Sequence, residues 1–180
     1  MKTGQLLKLS EQELVDCSKG QGNSGCMGGW MHLALDYVIF YNGLQLASQY
    51  PYISTEGSLC KASQSKNIKG LAAAYKRIPE GDNDRIINAL QTGMVPASVD
   101  STDIAHYAGG VYDNKKCKSE INHAVVIVGY GVTSRGQKFW KVRNSWGESW
   151  GEEGYFRIAR EDGYSTGICG INKYSVYLLG

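Results

Sequence analysis

The chain has 180 residues, 42% of them hydrophobic, with 19 basic and 17 acidic side chains and a formal net charge of +2. That length suits one globular domain or two small halves sharing a core, and the near-balanced charge gives no reason to expect nucleic acid or an anionic membrane as a partner. The longest apolar runs, such as 124–128, are too short to span a bilayer, and Met1-Lys2-Thr3-Gly4 opens no apolar stretch of the signal-peptide kind.

In chain order, Ser10-Glu11-Gln12-Glu13 has the form of a capping box and predicts a short helix over 11–17. The stretch 20–29, rich in Gly, Ser and Asn, reads as a loop. Trp30, Leu33, Ala34, Tyr37, Val38 and Tyr41 recur at helical spacing, and Asn42-Gly43 supplies the stop. Tyr50-Pro51-Tyr52 is extended, because the residue before proline is pushed out of the helical region. Asp82-Asn83-Asp84 opens a third helix through Ile86, Ile87 and Leu90, closed by Gly93. Beyond it come short β-branched or aromatic runs at 96–99, 110–112, 122–130, 139–143, 155–160 and 174–179, separated by turns. The class is therefore α+β, with helical residues 1–75 followed by a β-rich 76–180 and no flexible linker between them.

Five cysteines, Cys17, Cys26, Cys60, Cys117 and Cys169, form no C-x-x-C pair, and there are only three histidines. A zinc site is not expected, nor any other metal or cofactor. Composition leaves two readings open: buried reduced thiols, or a disulfide framework with one member left over.

Two strands carry most of the chemistry, His123 to Tyr130 and Lys138 to Ser145. A hairpin with 131 opposite 136 sets His123 directly opposite Asn144, where Cβ atoms lie roughly 4.5–5.5 Å apart. A bulge would shift that register. An Asn holding a His orients the ring and fixes its tautomer without placing a carboxylate beside it, which suits a cysteine nucleophile. A lone His beside an Asn is more often a surface pair with no chemistry.

The string that follows, Asn144-Ser145-Trp146-Gly147-Glu148-Ser149-Trp150-Gly151-Glu152-Glu153-Gly154-Tyr155, argues otherwise. It resembles the N-S-W-G-x-x-W-G-x-x-G-Y signature of papain-like, cathepsin L-like cysteine peptidases. Ser10 to Cys17 resembles that family's L-S-E-Q-x-L-V-D-C, and Cys26 to Gly29 its G-C-x-G-G. Tyr50-Pro51-Tyr52, Gly109 to Tyr112 and Asn122-His123-Ala124 match further landmarks in the right order.

The resemblance implies a papain-like fold: a helical left half, here without its central helix, and an antiparallel, β-barrel-like right half. It implies His123 as base and acid, Asn144 as its orienter, Trp146 covering the pair and Trp150 as an aromatic wall. It implies disulfides Cys17–Cys60 and Cys117–Cys169, with Cys26 left unpaired. Gly28 and Gly29 resemble the strip that binds extended peptide, and Met31, Ile121, Asn122, Ala124 and Tyr174 the side-chain pocket beside it. The implied partners are peptide or protein substrates and propeptide-type or cystatin-type inhibitors, in a lysosomal or extracellular setting.

The family's nucleophile lies in C-G-[SA]-C-[WY], well before the His, and no such motif occurs in this chain. The expectation is an amino-terminally truncated chain, without the Cys, the oxyanion Gln or the central helix. It would be inactive alone, poorly folded, and in need of the missing segment as a partner. A non-catalytic, peptide-binding or inhibitory homologue is the alternative, and a Cys–His acyl transferase a third reading.

Overall fold

The structure is a computed structural model and describes residues 5–163 and 165–179. Backbone contacts divide the described residues into two units, one running to Tyr75 and including 178–179, the other lying within Lys76–Tyr177.

In the first unit, helix α1 (Glu11–Cys17) is capped by Ser10, whose hydroxyl accepts the Glu13 N–H at 2.9 Å. Only half of the expected capping box forms. Glu13 is fully buried, and its two carboxylate oxygens accept from the Tyr37 hydroxyl at 3.0 Å and the Gln45 N–H at 2.8 Å. The Ser10 N–H donates instead to the Gln45 carbonyl. Helix α1 thus faces a polar core, in which Asp16 accepts from the Tyr50 hydroxyl and the Gly57 N–H. Two short 3-10 turns, Ser18–Gln21 and Gly25–Met27, lead into and interrupt the loop over 20–29. Helix α2 (Met31–Phe40) ends where Asn42 and Gly43 turn to positive φ and the Gly43 N–H reaches back to the Val38 carbonyl. Its buried residues are Tyr37 and Val38, packed with Leu44, while Met31, Leu33 and Ala34 are half-exposed and Phe40 is exposed. Cys17 is bonded to Cys60.

The second unit is built on a sheet. Its strands are β1 (Ala74–Ile78), β2 (Val95–Val99), β3 (Val111–Tyr112), β4 (His123–Val132), β5 (Lys138–Arg143), β6 (Tyr155–Ala159) and β7 (Ser175–Leu179). They lie in the order β1-β7-β2-β4-β5-β6-β3, the antiparallel-dominated sheet expected of the barrel-like half, here not closed into a barrel. Its register-assigned pairs are antiparallel except β3 with β6. Helix α3 (Asn83–Leu90) is capped by Asp82, which accepts the Arg85 N–H. It adds Ile86 and Ala89 to a core of Val95, Val99, Ile127, Trp140, Val142, Phe156, Ile158 and Ile171. Strand β1 was not expected, since Lys76-Arg77 breaks its apolar character. An edge position tolerates those charges. The second disulfide, Cys117–Cys169, lies here.

The hairpin register differs from the expected one. Val132 pairs with Lys138 and Gly129 with Lys141; then a bulge at Val128 leaves Ile127 opposite Val142 and Val126 opposite Arg143. The turn spans Thr133 to Gln137, where the Thr133 N–H donates to the Gln137 carbonyl, so 131 faces Phe139 and not 136.

Candidate active site

His123 begins β4 and is held there by the last pair of the β2–β4 ladder, Val99 opposite His123. Asn144 follows the last residue of β5, and its N–H donates to the Gly154 carbonyl at 2.9 Å. Continued from Val126–Arg143, the observed register makes His123 and Asn144 diagonal neighbours on one face, within reach of each other's side chains. The imidazole Nε2 lies 2.8 Å from the Asn144 Oδ1.

The direction of that hydrogen bond follows from a neighbour. The Ser145 N–H, which can only donate, points at the same Oδ1 at 2.8 Å. Oxygen is thereby fixed on that side of the amide, so Nε2 carries the proton. In the neutral ring the Nδ1 lone pair is then free. Asn144 itself is buried, and its Nδ2 has no hydrogen-bond partner among the described residues.

The loop after Asn144 brings two indoles to the pair. Trp146 stacks on His123 with ring centroids 5.0 Å apart, and Trp150 meets Trp146 edge-on at 4.9 Å. The Trp150 Nε1–H donates to the Ala105 carbonyl, and its ring packs on Tyr107 and Phe156. The glycines of this string answer to its turns: at Gly151, φ is +59°, and a Cβ would lie 2.5 Å from the Tyr155 carbonyl oxygen. Glu152 anchors the loop, accepting from the Arg157 guanidinium and from the Gly110 N–H. That guanidinium, against the effect of burial, holds the Glu152 carboxyl below the usual carboxylate range.

The other residues singled out from the sequence fall in both units. In the first, Gly28, Gly29 and Met31 line an open hollow of about 210 Å³ with Leu14, Val15 and Asn23. A side chain at Gly29 would have to displace the Asn23 amide, whose Oδ1 would lie 2.1 Å from the new Cβ and accepts the Trp30 N–H at 2.8 Å. Cys26 is an exposed free thiol in the same loop. In the second unit, Ala124 and Tyr174 flank Ser98 of β2: Ser98 pairs with Ala124 and donates its N–H to the Tyr174 carbonyl. The Arg77 guanidinium covers the Tyr174 ring at 4.7 Å. Ile121 is half-buried, with Gly170 against its side chain. The Asn122 amide is engaged on both ends, donating to Asp100 and Thr102 and accepting from the Ser101 N–H and hydroxyl. Asp100, almost wholly buried, carried no signal in the sequence beyond its place at a strand end.

The model of the papain family cysteine proteases matches residues 1–179. Fruit bromelain of Ananas comosus is 40% identical over 172 residues, which cover 95% of this chain and 47% of that protein. Cathepsin S of Mus musculus is 40% identical over 182 residues, covering 98% and 52%. The chain thus spans about half the length of the curated relatives it matches. Among solved structures, the bromelain protease of Ananas comosus in complex with the E64 inhibitor superposes with a TM-score of 0.89 at 38% identity, covering 98% of this chain and 80% of that one. The digestive procathepsin L 3 of Tenebrio molitor larval midgut gives 0.89 at 38%, covering 99% and 58%. The chain belongs to the papain family of cysteine proteases.

Proposed function

We propose that this chain carries the His–Asn half of a Cys-His-Asn peptidase site and serves the hydrolysis of peptide bonds. The observation that supports it most is the Nε2–H to Asn144 hydrogen bond, which leaves Nδ1 free to take a thiol proton. In the reaction, the thiolate attacks the scissile carbonyl. The imidazolium of His123 returns the proton to the departing amine, and the ring then takes one from the water that hydrolyses the thioester. Asn144 holds the ring in register, Trp146 shelters the hydrogen bond from water, and Trp150 walls the leaving-group side. In the first unit the Gly28-Gly29 backbone pairs with an extended peptide and Met31 offers it an apolar contact; in the second, Ile121, Asn122, Ala124 and Tyr174 receive a side chain of modest aliphatic size. Partners are peptide or protein substrates and propeptide-type or cystatin-type inhibitors. Two disulfides favour an oxidising setting, lysosomal or extracellular.

These 180 residues contain no C-G-[SA]-C-[WY] segment, and by themselves they do not turn over peptide. The retained His–Asn pair favours this reading over a purely peptide-binding or inhibitory homologue, which has no chemical use for it. The test is a fusion carrying a Q-G-x-C-G-S-C-W segment and its following helix ahead of residue 1. It gains thiol-dependent cleavage of a fluorogenic peptide, and His123→Ala abolishes the gain. Cleavage by the unfused chain, or cleavage by the fusion that survives His123→Ala, overturns the proposal.

A further inference from the structure

A buried carboxylate that the proposed reaction does not use sits at the end of β2, one residue past the pair that holds His123. Asp100 is 2% exposed. Its Oδ1 accepts from the Thr102 N–H at 3.1 Å and the Asn122 Nδ2 at 3.2 Å, and its Oδ2 from the Glu120 N–H at 3.2 Å. Asn122 answers by accepting the Ser101 N–H and hydroxyl, both at 2.9 Å, and by donating its own N–H to the Val99 carbonyl. Two stretches without regular structure are thereby closed on each other: 100–102, which leaves β2, and 118–122, which enters β4. The second stretch has no ladder of its own. Cys117–Cys169 fixes its start, and the Lys173 ammonium donates to the Ser119 carbonyl in its middle. The Asp100–Asn122 pair closes its end.

We propose that Asp100 is a positioning residue for His123. The terminal pair of a ladder frays first, and here that pair is Val99 with His123. The Asp100–Asn122 clamp lies immediately beyond it and prevents fraying, keeping the imidazole on the Asn144 oxygen and its proton on Nε2. Burial pushes the Asp100 carboxyl up, but the donors from Thr102, Asn122 and Glu120 outweigh it and hold the group below the usual carboxylate range. The clamp therefore stays charged through mildly acidic pH. The inference rests on the proposed role of His123, but its readout needs no turnover.

The experiment is long-range 1H–15N NMR of the imidazoles in the full chain, which has three histidines. In the unaltered chain His123 is in the Nε2–H form. In Asp100→Asn, an amide N–H₂ faces the Glu120 N–H, the clamp opens, and the Nε2–H to Nδ1–H ratio of His123 falls at least about two-fold, while His32 and His106 do not change. An unchanged ratio in the folded variant overturns the proposal. If Asp100→Asn does not fold, Asn122→Ala gives the same test, since it leaves Asp100 its bonds to Thr102 and Glu120; an unchanged ratio there is equally decisive. Absence of the Nε2–H form from the unaltered chain would sink the reading of His123 itself, which distinguishes that failure from failure of the clamp alone.

Discussion

Replacing Asn144 by Ala removes the one acceptor that fixes the His123 ring proton, and the size of the effect follows from the geometry. The bond is short and, among the described residues, its oxygen is shared only with the Ser145 N–H, so it contributes as an ordinary internal hydrogen bond, about 0.5–1.5 kcal/mol net. At about 1.36 kcal/mol per factor of ten, its loss moves the tautomer ratio of His123 about two- to thirteen-fold toward Nδ1–H. The ring does not leave its place, because the Trp146 stack and the Val99 pairing remain. Imidazole 15N shifts measure the ratio directly, with His32 and His106 as internal references. Fused to a cysteine-bearing segment, the same variant loses activity by a comparable factor, because an Nδ1–H ring has no lone pair for the thiol. A ratio unchanged from that of the unaltered chain would refute the assignment of Asn144 as the orienter.

Three further outcomes follow from the packing. Removing the Cys117–Cys169 crosslink by a double Ala substitution frees a loop closed over a sequence separation of 52 and lowers stability by about 4 kcal/mol on the chain-entropy estimate; urea unfolding followed by tryptophan fluorescence reads it, and a loss below about 1 kcal/mol contradicts it. Phe156→Ala, at a fully buried position beneath Trp150, costs about 3–5 kcal/mol and disturbs the Trp146–Trp150 pair, visible as a shift of the indole N–H resonances. Asp16, Asp100 and Glu152 all have carboxyls held below their ordinary values. A depressed folded-state value adds stability that is complete above the unfolded-chain range near about 4 and is lost as pH falls through the folded values. The urea midpoint is therefore level between pH 7 and 5 and drops below pH 4, and a midpoint unchanged down to pH 2.5 would count against these networks.

Much of the first half was legible because its signals are local. Ser10 caps α1, Asn42-Gly43 stops α2 and Asp82 caps α3, each through a hydrogen bond spanning only a few residues. The partners of Glu13 were not legible. A capping box is a contest for one carboxylate, and the Tyr37 hydroxyl and Gln45 N–H, brought in from 24 and 32 residues away, win it because the side chain is buried. Strand β1 was missed for the related reason that an edge strand need not show apolar alternation. Barrel closure is a property of shear and strand count that no single strand encodes, and the sheet remains open.

The His–Asn pair shows how two side chains expected to meet can do so through a register other than the expected one. Direct opposition of His123 and Asn144 required the turn to be centred between 131 and 136; it is centred later, at Arg135. Carried unchanged to the strand ends, that later register would offset the two residues by an odd number and place them on opposite faces of the sheet. The bulge at Val128 absorbs one residue and restores an even offset, so the two side chains share a face and meet diagonally. What the residue pattern encodes is therefore the chemistry that must meet, an imidazole with an amide under an indole. The strands reach that meeting by an irregularity invisible in the sequence of either one, and the β2 end with its Asp100–Asn122 clamp decides whether it persists.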